Sequence, residues 1–190
     1  MWAQSVFDRY EYPYGDELAP LITKINQYFD QRLEQLRVDD IDTGTGNIYT
    51  NWNCAEELDI LSHDSKLAAW IHSKILLSAE KILGEVRDSI TIRHCWVNMM
   101  TRGSYGKVHD HGAPTRGIAL FYLNVPPNSA DLVLVRQGKS DSDLTDYDVS
   151  VLYPLNVQQN QLLIHKVDVL HGITEHRSDE RRMLIVVDFY

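Results

Sequence analysis

At 190 residues and a formal net charge of −9, the chain has room for a single domain that buries a substantial core. With 18 Lys and Arg against 27 Asp and Glu, it is poorly suited to a nucleic-acid backbone or an anionic membrane as main partner, since both select for a basic surface. Only Cys54 and Cys95 are present, which excludes a disulfide framework and a four-thiolate zinc site and leaves two reduced, structural thiols as the expectation.

The first residues, MWAQSVFDRYEYPYGDE, lack a cationic stretch followed by an apolar one, and no apolar run reaches the roughly 18 residues of a membrane span. A soluble, cytoplasmic protein is expected. From Asp16 to Arg37, Leu18, Leu21, Ile25, Phe29, Leu33 and Leu36 recur at helical spacing, which predicts one amphipathic helix with Asp16 as its N-cap. The following VDDIDTGTGNIYTNWN reads as a loop with a short strand at Ile48 to Trp52. A second helix is predicted from Ser65 to Leu83, with Leu67, Trp70, Ile71, Ile75, Ala79 and Ile82 on its inner face and Gly84 ending it.

After Gly84 the period changes from helical to alternating. Ile90, Ile92, His94, Trp96, Asn98 and Met100 alternate with Thr91, Arg93, Cys95, Val97 and Met99, so Ser89 to Thr101 reads as a strand with two chemically different faces. Further strands are predicted at Lys107 to His111, Gly117 to Val125, Asp131 to Arg136, Val149 to Tyr153, Gln161 to Lys166 and Arg182 to Tyr190. Between them GKSDSDLTDYD is polar enough to be a mobile loop. Two helices followed by many short strands predict a mainly β fold, an antiparallel sandwich or small barrel with the N-terminal helices packed outside.

Among the 8 histidines, His109 and His111 stand at i and i+2 on an extended segment, so both rings point the same way and can share one metal ion. His171, sixty-odd residues later, is the candidate third ligand, from a neighbouring strand. The pair precedes the apolar strand GIALFYLNV, which places it at the mouth of a sheet, where three-ligand sites with open positions are built. His63 and His72 belong to the helical half and read as surface or packing residues. His94 reads as a core or pocket-wall histidine, and His165 and His176 as ordinary flanking residues.

The segments NMMTRGSYGKVHDHGAPTRGIALFYLNVPPNSADLVLV and NQLLIHKVDVLHGITEHRSDERRMLIVVDF resemble the catalytic core of the Fe(II)- and 2-oxoglutarate-dependent oxygenases, especially small phage and bacterial members related to prolyl hydroxylases. In that family a His-x-Asp pair precedes a strand ending in Tyr-Leu-Asn, a distal His follows an apolar strand, and an Arg opens the last strand. Here those places are held by His109, by His111 where the carboxylate is expected, by Tyr122-Leu123-Asn124, by His171 and by Arg182. The resemblance implies a double-stranded β-helix, or jelly roll, over 89–190, flanked by the helical 1–88 in one domain. It also implies Fe(II) held by His109, His111 and His171, with Arg182 fixing the far carboxylate of 2-oxoglutarate, Tyr122 assisting and Asn98 lining the pocket.

The physical logic agrees with this assignment. Three ligands on one face of the metal leave room for a chelating keto acid and for dioxygen, and an arginine's planar fork matches a carboxylate in two parallel hydrogen bonds. Counting back from Phe189 puts Arg182, Leu184, Val186 and Asp188 on one strand face, which favours Arg182 over Arg181 for that role. The expected reaction is hydroxylation of a C–H bond in an amino acid, peptide or small molecule, held against Asn98, Arg116 and the loop 137–148.

Position 111 departs from the family pattern and leaves three readings. The centre is formed by three histidines, or Asp110 is recruited through a bulge, or His111 is the first ligand with Ala113 at the carboxylate place, as in related halogenases. Two further classes remain. One is a cupin-like metal protein: Gly103 precedes His109-x-His111 at the cupin spacing, although Arg116 stands where its glutamate would fall. The other is a β-sandwich binding or structural module that kept the fold and lost the chemistry.

Overall fold

The computed structural model describes residues 5–38, 48–58, 60–84, 90–112, 114–139 and 142–190. The alternating segment near its middle sets the architecture. Strand β4 (Ile92–Met100) turns Val97 and Met99 toward one core and Trp96 toward another. The last strand, β11 (Arg182–Phe189), is buried along its whole length and is paired on both sides, with β4 and with β6 (Gly117–Asn124). It divides its side chains in the same way: Met183, Ile185 and Val187 go to the first core, Leu184 and Val186 to the second.

Around this pair, β9 (Gln161–Lys166), β1 (Phe7–Glu11), β2 (Arg37–Val38) and β3 (Ile48–Thr50) complete a seven-stranded sheet in the order β1-β9-β6-β11-β4-β3-β2. A second sheet has the order β5-β10-β7-β8, from β5 (Gly106–His109), β7 (Leu132–Val135), β8 (Leu152–Pro154) and β10 (His171–Ile173). Among the described residues every pair of neighbouring strands is antiparallel. Ile118, Leu120, Leu132, Leu134, Leu163, Leu184 and Val186 fill one core, joining residues of both sheets. Each such side chain removed from water contributes about 1.5–3 kcal/mol, enough to hold two sheets face to face. This is the double-stranded β-helix that the sequence implied.

The helices cover the outer face of the larger sheet. Leu21, Ile25 and Phe29 of α1 (Ala19–Asp30) and Leu67, Ile71 and Ile75 of α4 (Ser65–Ser78) share a core with Phe121, Leu162 and Ile185. Between them lie α2 (Leu33–Leu36) and α3 (Ile60–His63). Among the described residues no helix is long and apolar enough to cross a membrane.

Several elements differ from the sequence expectation. The single helix from Asp16 to Arg37 is broken in two places. Pro20, best tolerated in a first turn where no N–H is needed, starts α1 at Ala19, so Asp16 lies inside a 3-10 turn (Gly15–Leu18) and caps nothing. Arg32 then leaves helical geometry at φ −134°, and Arg37 is already extended as β2 begins. The second helix is capped by Asp64, whose side chain accepts the Leu67 N–H at 2.9 Å, and it widens into a π turn (Ala79–Leu83) before Gly84 ends it at φ +70°. Val149–Val151 form a 3-10 turn ahead of β8 rather than a strand. The N-terminal half also supplies β1, which no pattern announced, to one edge of the larger sheet. The start of the strand predicted from Ser89, and the division at 88/89, lie outside the described residues.

Candidate metal centre

His109 is the last residue of β5 and His171 the first of β10, and antiparallel pairing sets them directly opposite each other. Their ring centroids are 4.4 Å apart. His111 follows two residues later, its ring 5.4 Å from each of the others and stacked on His171. One nitrogen from each ring falls within 4.8 Å of the other two, close enough for small rotations to bring all three onto one ion.

Backbone contacts decide which nitrogen is offered. Nδ1 of His109 lies 2.9 Å from the Lys107 carbonyl and Nδ1 of His171 lies 3.0 Å from that of Val169. A carbonyl can only accept, so Nδ1 carries the proton and Nε2 keeps its lone pair for a metal. Burial holds His171 well below the ordinary histidine range and pushes His111 down to about 3, with the neighbouring His109 adding to both shifts. These two imidazoles are therefore neutral at physiological pH and need release no proton to bind a cation.

Asp110, between the pair, is exposed and outside this group, so the reading that recruits it is not supported. Ala113 lies outside the described residues. Among the described residues, the group able to hold a metal consists of His109, His111 and His171.

Arg182 begins β11 and is completely buried. One guanidinium nitrogen, Nη1, lies 3.1 Å from the Met100 sulfur, and the group sits 5.0 Å from the centre of the Tyr122 ring. Among the described residues its Nε and Nη2 make no well-formed hydrogen bond, nor does the buried hydroxyl of Tyr122, although the two groups face each other and Asp131 lends a weaker opposite charge. Burial raises the Tyr122 phenol to about 12, so it remains a donor. A buried cation with two unused donors beside an unused hydroxyl is costly unless an anion completes it, and the free donors match one oxygen edge of a carboxylate. Arg181 points the other way, to Asp30 at 2.6 Å and Asn26 at 3.1 Å on α1, and so is a structural tether.

Asn98 is in register with Leu184 and lies on the same alternating face of β4 as Trp96 and Met100. Arg116 is exposed where β6 begins. The described part of the 137–148 loop is tied down rather than loose. Ser142 bridges Val108, a capping box links Asp143 and Asp146, and the Leu144 side chain lies over Gly172, next to His171.

Other histidines divide as their surroundings dictate. His176 is a buried staple, with Nδ1 3.3 Å from the Ala130 N–H and Nε2 2.8 Å from the Glu180 carbonyl. His94 stands in an aromatic row between Trp52 and Trp96. The sequence passed over two residues that border the site. His165 on β9 is buried with its ring 4.8 Å from that of His171. Asp188 on β11 is 8% exposed, lies 3.7 Å from His111 Nδ1, and is pushed up to about 6 by burial against the opposing influence of His94 and Thr115. The alternation that placed Arg182 on the inner face carries Asp188 with it, and that was the available signal.

No family model matches the chain, and a search of curated proteins finds no match. Solved structures do match in shape. A prolyl-4-hydroxylase from Pseudomonas putida superposes with a TM-score of 0.64 at 14% identity, over 98% of this chain and 93% of that one. The epimerase SnoN, solved with Fe3+, α-ketoglutarate and nogalamycin RO, gives 0.68 at 13% identity over 99% of this chain and 80% of that one. HygX from Streptomyces hygroscopicus, solved with nickel and 2-oxoglutarate, gives 0.57 at 14% identity over 98% and 83%. The chain has the fold of the Fe(II)- and 2-oxoglutarate-dependent oxygenases.

Proposed function

We propose that this protein is an Fe(II)- and 2-oxoglutarate-dependent dioxygenase that hydroxylates a C–H bond of an amino acid, peptide or small molecule. One observation carries the reading. Arg182, fully buried, opens the strand that borders the three-histidine group, with two guanidinium nitrogens unused among the described residues. A protein with no anionic ligand to receive gains nothing from such a cation.

When bound, iron and the keto acid supply the oxidative chemistry: 2-oxoglutarate, dioxygen and R–H give succinate, carbon dioxide and R–OH. The chain's own residues bind and orient. His109, His111 and His171 would hold the metal through Nε2, the rings of the first and last fixed by the carbonyls of Lys107 and Val169. Arg182 would take the C5 carboxylate of 2-oxoglutarate and Tyr122 would donate its hydroxyl proton to the same group. The substrate is expected against Asn98, Arg116 and the 137–148 loop. Leu144 packs over Gly172, beside His171.

The cupin-like alternative assigns Arg182 no role and needs a carboxylate ligand near position 116, where the chain presents an exposed arginine. A non-catalytic module would have no use for unpaired donors in its core. Anaerobic titration separates these. Fe(II) with 2-oxoglutarate should give a weak visible charge-transfer band that neither gives alone, and admitting air should then yield succinate. Metal binding indifferent to 2-oxoglutarate would support the cupin alternative, and no metal binding the structural module.

A further inference from the structure

Three histidines, as uncharged ligands, would leave a divalent cation without charge compensation from the protein, whereas the family pattern supplies one carboxylate at the place of His111. A carboxylate is nevertheless close at hand. β11 directs Asp188 to the inner face with Arg182, Leu184 and Val186, where its side chain is 11% exposed; the carboxylate accepts from Thr115 and faces His94, while its Oδ1 has no hydrogen-bond partner among the described residues. That oxygen lies 3.7 Å from Nδ1 of His111, beyond a hydrogen bond but within ion-pair reach. The strand that carries it is fixed from both sides, with Asp188 in register with His94 of β4 and Ile118 of β6. His109 and His171 already have carbonyl acceptors for Nδ1, and Asp188 stands where His111 lacks one.

We infer that Asp188 is a positioning residue of the metal centre, accepting Nδ1–H of His111 so that Nε2 faces the ion and the missing negative charge reaches the metal through the imidazole. The inference rests on the reading of His109, His111 and His171 as metal ligands. A carboxylate behind a ligating histidine orients the ring and raises its basicity, and its loss typically costs 10–100-fold in metal affinity. Holding the carboxylate one residue back also keeps a coordination position open, which a fourth direct ligand would fill.

Cobalt(II) titration of the full chain, read both as a dissociation constant and as the ligand-field spectrum, tests this. Asp188→Asn should weaken binding by about 10–100-fold and shift the visible bands. Asp188→Glu, which restores the charge, should bind more tightly than Asp188→Asn. In a double-mutant cycle, Asp188→Asn should cost little in a His111→Ala background, because the carboxylate acts only through that ring. Wild-type affinity and spectrum in Asp188→Asn, or an equal cost in both backgrounds, would overturn the assignment. A loss as large as that of His111→Ala would also overturn it, in favour of direct ligation. If the wild-type protein takes up no cobalt, the metal centre falls, and this inference with it. If it binds cobalt but Asp188→Asn changes nothing, only the role of Asp188 is lost.

Discussion

Replacing Arg182 with methionine should make the ligand-free protein more stable while removing its response to 2-oxoglutarate. The guanidinium is wholly buried with Nε and Nη2 unsatisfied among the described residues, and the carboxylate of Asp131 acts on its charge only weakly against the penalty of burial. Burial lowers its basicity, which shows the charged form to be penalised where it sits. A buried charge without a partner costs several kcal/mol, and substituting an apolar side chain of similar length often stabilises by 1–4 kcal/mol. Against this stands the loss of the contact with the Tyr122 ring, worth up to roughly 2 kcal/mol, and of the Nη1 contact with Met100. The net expectation is a gain of about 1–3 kcal/mol in denaturant unfolding of the ligand-free protein. Removing one partner of a buried charge pair costs 2–5 kcal/mol in binding, so affinity for 2-oxoglutarate should fall by at least about 100-fold. Calorimetric titration of the metal-loaded protein reads the second effect. An Arg182→Met protein that is destabilised like an ordinary core variant and still binds 2-oxoglutarate would show that Arg182 serves the fold and not a ligand.

His171→Ala and His176→Ala should separate metal binding from stability. Both histidines are buried, 3% and 0% exposed, yet their surroundings differ. His176 uses both ring nitrogens on backbone groups at Ala130 and Glu180, so its removal leaves a buried N–H and a partly buried carbonyl without their partner. Each such group costs about 1–3 kcal/mol, and the variant should unfold at clearly lower denaturant while a surviving folded fraction still binds metal. His171 uses only Nδ1, on the Val169 carbonyl, and its other nitrogen faces His109 and His111. Its removal should cost less stability but eliminate one of three ligands, with metal affinity down by more than the 10–100-fold typical of residues behind a ligand. Equilibrium dialysis against Co(II), paired with urea melts, checks both. Unchanged metal affinity in His171→Ala would remove it from the centre.

Periodicity carried most of the fold from the sequence, and its failures have physical causes. The alternation of β4 and β11 was visible because each strand separates two chemically different cores, so every second residue reports its side. The alternation also distinguished Arg182 from Arg181, and the two do face opposite ways. Strands of three residues, such as β10, are too short to show any period, although β10 carries His171. That histidine is legible in the sequence through the family resemblance, whose pattern places an Arg about ten residues after the distal His. The break between α1 and α2 left no trace because Leu33 and Leu36 keep the helical stripe across it. Proximity between distant strands left none either. Asp188 and His165 reach the histidine group only through sheet pairing, which no local pattern encodes.

The central claim is that three histidines and one buried arginine form a single site for a metal and a keto acid. A crystal structure of the protein grown anaerobically with Fe(II) and 2-oxoglutarate tests it most directly. The account predicts one iron about 2.1 Å from Nε2 of His109, His111 and His171, chelated by the keto acid, whose far carboxylate meets Nε and Nη2 of Arg182. Iron bound away from these histidines, or 2-oxoglutarate bound with Arg182 still unpaired, would contradict it.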